Sequence, residues 1–223
     1  IPAAGPFPYL TSTTADITDA TVTGDPPLPS CQTNVSRSIW YTITPSATAL
    51  YTFSACADAP TASTVDDTVI AVYTSTGGCA GPFTQVAGAC DDDSCATEGL
   101  QSVLNVNLTS GTTYYVVVWK FDTPAPTVGN TAIQLRVSQT LPPPVPANDL
   151  CAGAIALTLN TAVQGTLAGA ANDYTISTPS ATCFPGIGQS TTNTAPGRDV
   201  VYSFTPGVSG NYSFRLFSRE NWI

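Results

Sequence analysis

Carboxylates and thiols carry most of the chemistry open to this sequence. Asp91, Asp92 and Asp93 form an acidic run between Cys90 and Cys95, and Asp66 and Asp67 stand directly ahead of the apolar run Thr68–Tyr73. Calcium is a hard cation that takes roughly six to eight oxygens, which converging carboxylate loops can supply. These five aspartates are therefore the candidate metal ligands, and calcium is the candidate ion. Asp side chains also cap turns through nearby backbone amides, and no EF-hand spacing is present. The chain has no His, which excludes Ser-His-Asp and Cys-His arrangements. Paired carboxylates can hydrolyse glycosides, but these pairs sit on Cys-flanked turns and the chain holds only two Glu. No catalytic residue is assigned, and the chain reads as a non-enzyme. Trp40, Trp119 and Trp222 could stack on sugars, yet they lie in or beside strand-like segments, where indoles pack in a core or at an edge.

Composition narrows the partners. Hydrophobic residues make up 43% of the 223, enough for a packed core, and charged residues only 9%. Thr, Ser, Asn, Gln and Gly must carry the surface, and Thr, Val and Tyr dominate the periodic segments, as strands prefer. The net charge is −9 with six basic residues. Neither nucleic acid nor an anionic membrane fits, because phosphate neutralisation needs Lys/Arg clusters. No apolar run is long enough for a transmembrane helix, so no membrane insertion is expected. Met is absent and the sequence opens on Ile1, which reads as a processed or truncated end.

The elements that must position these groups repeat. Arg37–Ala57 returns at Arg198–Ser218 with a constant offset of 161 residues, and Arg, Tyr, Thr-Pro, Tyr and Phe recur at matching places. Such a repeat fixes the architecture as two copies of one module. In the first copy Ile39, Tyr41 and Ile43 alternate on one strand, and Tyr51, Phe53 and Ala55 on the next. Thr68–Tyr73 reads as a strand covered on both sides. Leu104, Val106 and Leu108, then Tyr114–Phe121, then Ile133, Leu135 and Val137 give three more. Gly24-Asp25-Pro26-Pro27 is a turn. In the second copy Ala154–Leu159, Gly165–Leu167, Asp199–Thr205 and Tyr212–Phe217 are the expected strands, with a turn of helix within Asp149–Leu157. Short strands between Gly/Pro/Asn turns mean a sandwich or barrel. The expected fold is all-β: two tandem antiparallel β-sandwich modules, jelly-roll or Ig-like. Residues 1–10 form an extended arm whose prolines allow an edge position, on its own domain or on a neighbouring molecule. Residues 11–139 form the first sandwich, 140–148 a stiff Pro-rich linker, and 149–223 the second. The second copy lacks a counterpart of Thr68–Val137 and is expected to be incomplete, only its N-terminal half.

Seven Cys in a Thr-rich, Lys-poor chain read as disulfide-bearing and extracytoplasmic. Zinc would need closely spaced Cys/His sets. Cys151 and Cys183 pair as the two Cys of the second copy. In the first, Cys79–Cys90 would staple a hairpin-like loop and Cys56–Cys95 would tie a strand end to the acidic loop, one of three connectivities for four Cys. Cys31 is left unpaired: a free thiol, one whose partner lies in a missing N-terminal piece, or one that bonds another chain. Asn34, Asn107 and Asn211 match the N-glycan acceptor pattern.

Several segments, taken in order, resemble the bacterial pre-peptidase C-terminal domain family: D-D-T-V-I-A-V-Y (66–73), A-C-D-D-D-S-C (89–95), L-T-S-G-T-T-Y-Y-V-V-V (108–118), N-D-L-C-A-G-A-I-A-L (148–157) and V-V-Y-S-F-T-P-G-V-S-G-N-Y-S-F (200–214). The resemblance implies a β-sandwich on a secreted or surface bacterial protein, in tandem, non-catalytic, in some relatives bound to calcium or to extracellular polymers. The first copy departs from it by lacking the N-D-x-C opening, and the second by lacking the D-D-T-V-I-A-V-Y half. The function expected is that of an extracellular structural or adhesive protein, a subunit of a cell-surface filament in which a neighbouring chain completes the second sandwich by strand addition. Its partners would be further copies of itself or another surface protein or polymer. The alternative is an accessory module of a larger secreted hydrolase that binds carbohydrate or a collagen-like polymer.

Overall fold

The computed structural model describes residues 1–11, 14–58, 60–96, 99–174 and 197–217. The chain is all-β, with no α-helix among the described residues. It divides into two units, Ile1–Pro142 and Pro143–Ile223.

The first unit is a sandwich of two four-stranded antiparallel sheets. One sheet runs β1 (Tyr9–Leu10), β10 (Arg136–Thr140), β4 (Ala49–Ser54) and β7 (Val103–Leu108). The other runs β3 (Val35–Ile43), β8 (Tyr114–Phe121), β5 (Thr68–Ser75) and β6 (Phe83–Asp91). A two-stranded ribbon pairs β2 (Ala15–Asp16) with β9 (Ala132–Ile133). Period-two alternation decides which residues meet between the sheets. Tyr51, Phe53, Leu104, Val106, Leu108 and Val137 come from one sheet, and Ile43, Ile70, Val72, Val116 and Val118 from the other. On β7 the outward residues Asn105 and Asn107 are exposed while their neighbours are buried.

The arm packs on its own unit. Tyr9 pairs with Val137 at a sheet edge, and Phe7 meets Tyr51 edge to face at 5.7 Å. An edge strand tolerates the prolines at 6 and 8 because one side of it donates to no ladder.

Both faces of β5 are covered, as its unbroken apolar run requires. The outer face of its sheet carries a second cluster: Val69, Ala71, Tyr73, Tyr115, Val117 and Trp119. The segment from Thr21 to Asn34 straps across it. Asp25 Oδ2 accepts from the Trp119 indole at 2.6 Å, and Asp25 Oδ1 accepts from the Trp40 indole at 3.1 Å and from the Ser38 hydroxyl at 2.6 Å. Tyr73 Oη donates to the Pro27 carbonyl at 2.9 Å, and Ser30 exchanges two hydrogen bonds with the Gln85 side chain.

The strap is fixed covalently, and here the structure corrects the expected pairing. Cys31 is bonded to Cys90 across 59 residues, with Cα atoms 5.7 Å apart, so Cys31 is neither unpaired nor intermolecular. Cys79 is exposed and bonded to no described cysteine. It lies in the 3-10 turn Gly78–Ala80 at the tip of the β5–β6 hairpin, whereas Cys90 pairs with Ala71, well down the ladder. At about 3.3 Å per strand residue the two Cys stand too far apart to bridge. Cys56 is bonded to Cys95. Cys183, the expected partner of Cys151, lies outside the described residues. Two disulfides fit an oxidising compartment, and no helix among the described residues is long and apolar enough to cross a membrane.

One strand escapes the sequence reading. Phe83–Asp91 pairs with β5 through a bulge in the Val86–Ala89 region, where Gly88 takes a positive φ of 70°. Four residues of β6, 86–89, stand opposite the single residue Val72 of β5, and the three extra residues break the alternation that would have marked the strand.

The second unit keeps less regular structure. Its expected helical turn is the 3-10 turn Cys151–Gly153. The expected strand Ala154–Leu159 contracts to β11 (Ile155–Ala156), and Asp199–Thr205 to β12 (Tyr202–Ser203), which pair in parallel. Gly165–Leu167 and Tyr212–Phe217 form no strand. A strand needs partners on its edges and a face to bury, and isolated pairs are marginal in water.

Asp25→Ala would leave the Trp119 indole donor unpaired beneath the strap and the Trp40 indole with only its 3.2 Å bond to Ser38 Oγ. Charge-assisted bonds of this kind contribute about 1.5–3 kcal/mol each, so urea denaturation of the variant should give a loss of about 3 kcal/mol, with Cys31–Cys90 intact by mass.

Candidate functional site

The antiparallel register of β5 and β6 builds an acidic corner. Ile70 lies opposite Asp91, so the residues ahead of β5 and those after β6 meet at one end of the hairpin. There, single carboxylate oxygens of Asp67, Asp92 and Asp93 come within 4.8 Å of one another. The Cys56–Cys95 disulfide holds the acidic loop from one side. Ser102 Oγ donates to the Asp92 carbonyl at 3.0 Å from another.

Of the five candidate ligands, the structure gathers three. Asp91 is spent on its own turn: Oδ1 accepts from Ser94 at 2.6 Å and Oδ2 from the Val103 amide at 2.8 Å. Asp66 is exposed and stands apart from the oxygen cluster. Asp92 accepts from Gln32 Nε2 at 3.0 Å through Oδ2. Its Oδ1 and the Oδ1 of Asp67 are buried and receive no donor. Burial first, then the neighbouring Asp92, Asp93 and Asp66, push the Asp67 carboxyl up to about 6. Burial also raises Asp92, partly offset by Gln32. Lys120 relieves Asp67 only in part, and its Nζ donates to the Phe121 carbonyl at 2.6 Å. Buried carboxylate oxygens without donors fit a hard cation, which would supply the missing charge.

The glycan-acceptor matches are scattered. Asn34 is exposed and donates to Asp122 Oδ1 at 3.0 Å, Asn107 is exposed on β7, and Asn211 is exposed in the second unit. Trp40 and Trp119 are engaged beneath the strap, and Trp222 lies outside the described residues.

The second feature is an uncovered face. The turn of the repeat folds alike in both copies. Tyr51 Oη donates to the Ala47 carbonyl at 3.2 Å, and at the same offset Tyr212 Oη donates to the Val208 carbonyl at 2.6 Å. Arg37 donates to the Thr18 carbonyl, and Arg198 to the Leu167 carbonyl at 3.4 Å. The surroundings then differ. Tyr51, Phe53 and Ala55 are wholly buried, whereas their counterparts Phe214 and Leu216 are 66% and 74% exposed and Phe217 is 86% exposed. Phe204 stacks edge-on with Tyr212 at 5.0 Å and with Phe214 at 5.4 Å, so the cluster is assembled but open. Only Asn148 and Ala170 are buried among the described residues of this unit.

Comparison with family models, with curated proteins and with solved structures finds no match.

The raised Asp67 value sets a pH signature for the metal-free protein. A carboxyl at about 6 in the folded state, against an ordinary 3.8, keeps its proton longer than the unfolded chain does. Its contribution to stability is greatest below pH 3.8 and falls as pH rises through 6. In the presence of a chelator, Asp67→Asn should gain in melting temperature relative to the wild type across that window and hold a constant advantage above it.

Proposed function

We propose that this chain is a non-enzymatic, extracellular structural protein of tandem β-sandwich modules, and that strands of a neighbouring chain cover its second module. The observation that carries this reading is the exposure of Phe214, Leu216 and Phe217 in a motif whose first copy is buried. Covering one such side chain is worth about 1.5–3 kcal/mol, so three of them supply a driving force comparable with the whole stability of a small domain. Added strands would also satisfy the backbone of 211–217. Association in which one end of a chain meets the other end of the next gives open polymers. The low charge and the disulfides suit such an assembly outside the cell.

The acidic corner adds a condition. Asp67, Asp92 and Asp93 would hold a calcium ion, with backbone carbonyls and water completing the shell. The ion would clamp the start of β5 to the end of β6. Millimolar calcium should raise the melting temperature at pH 7.5, and Asp67→Asn should abolish that rise.

Sedimentation and electron microscopy of the native chain at micromolar concentration test the main claim. Polymers are expected, and Phe214→Asp should disperse them. A wild-type chain that stays monomeric overturns the reading.

A further inference from the structure

The two disulfides of the first unit differ in what can reach them. Cys56 and Cys95 are both buried. Cys31 is exposed and Cys90 half-buried, so solvent reaches the Cys31–Cys90 bond from the Cys31 side. The Cys31 amide donates to Cys90 Sγ at 3.2 Å. A donor aimed at a sulfur favours its charged form, which makes Cys90 the sulfur prepared to leave as a thiolate. Asp91, the next residue along β6, points to the opposite face of the strand. Its carboxylate is spent on Ser94 and the Val103 amide.

This bond fastens one end of the strap to the sheet. Prolines at 26, 27 and 29 keep the strap from building a ladder of its own. Its other polar ties are hydrogen bonds: Asp25 to the two indoles, the Pro27 carbonyl to Tyr73, Ser30 to Gln85, and Gln32 Nε2 to Asp92 Oδ2 at 3.0 Å. Packing beneath it is incomplete. A groove of about 190 Å³ runs between Val22, Pro26 and Leu28 of the strap and Val35 and Trp119 of the sheet, and Val22 and Leu28 are themselves exposed. The covalent tie therefore supplies a share of the closure that apolar packing does not.

We propose that Cys31–Cys90 is a thiol-exchange site opened by a dithiol reductant, and that its opening loosens the strap from Trp40 and Trp119. A thiolate of the dithiol attacks Cys31 Sγ and forms a mixed disulfide as the Cys31–Cys90 bond breaks. Cys90 leaves with the bonding pair as a thiolate and takes a proton from water. The second thiol of the reductant then attacks the mixed disulfide, which releases Cys31 as a thiol and closes a disulfide within the reductant. The protein gains two electrons and two protons, and the dithiol loses the same. Cys56–Cys95 stays closed through both steps because burial keeps thiols from its sulfurs. The site uses residues of the first unit alone and does not rest on the proposed assembly.

Differential alkylation of the full native chain at neutral pH tests this. Free thiols are blocked with N-ethylmaleimide and the excess removed. Dithiothreitol is then added without denaturant, and aliquots are quenched with iodoacetamide for peptide mass spectrometry while tryptophan emission is followed. Labelling of Cys31 and Cys90 should run at least about tenfold ahead of Cys56 and Cys95, and the emission should shift to the red in step with it as the indoles gain water. Equal rates, no opening of Cys31–Cys90, or Cys56–Cys95 opening first would overturn the site. Labelling of Cys31 and Cys90 with no change in emission would overturn the release of the strap.

Discussion

The first unit depends on one constraint: β4 must have a strand on each side. β7 and β10 pair with it residue for residue, and only that double pairing lets Tyr51 and Phe53 turn inward with their backbone satisfied. Everything else in the sandwich follows from the same requirement. β10 carries β1 at its free edge, β3 and β8 close the core from the opposite sheet, and the arm seals the gap near Tyr51. The second copy reproduces the local turn, down to its tyrosine bond, with no strand paired to 212–217 among the described residues. The repeated sequence therefore folds to the extent that local hydrogen bonds dictate and stops where tertiary pairing is needed.

The other organising feature is a chain short of charges that buries both faces of one sheet. The strap from Thr21 to Asn34 covers Trp119 and Trp40 with prolines, a carboxylate and a disulfide rather than with a further sheet. Its bonds are specific where its apolar area is small. The acidic corner has the opposite character. Three carboxylates are forced together by the register of a hairpin whose two ends are both acidic, and the sequence offers one nearby lysine against them.

Much of this was legible in the sequence. Alternation in Tyr51/Phe53, Leu104/Val106/Leu108 and Ile133/Leu135/Val137 defined a sandwich and its inward residues, and the unbroken run in Thr68–Tyr73 announced cover on both faces. What escaped depended on contacts distant in sequence. The bulge at Gly88 hid β6, and with β6 hidden, Cys90 looked like a loop residue within reach of Cys79. Asp25 read as an ordinary turn residue because the indoles that it holds lie 15 and 94 positions away. The five-aspartate set contracted to three because only pairing registers reveal which side chains face one another. In the second unit, local propensity predicted strands at Gly165–Leu167 and Tyr212–Phe217 that nothing in the described structure pairs.

The central claim is that the Tyr212–Phe217 stretch acquires strand partners from another chain. Hydrogen exchange on the native assembled protein measures this directly. The account predicts that the amides of Tyr212, Ser213 and Phe214 exchange slowly in the assembled material and rapidly in chains dispersed by dilution. Equally rapid exchange in both would contradict it.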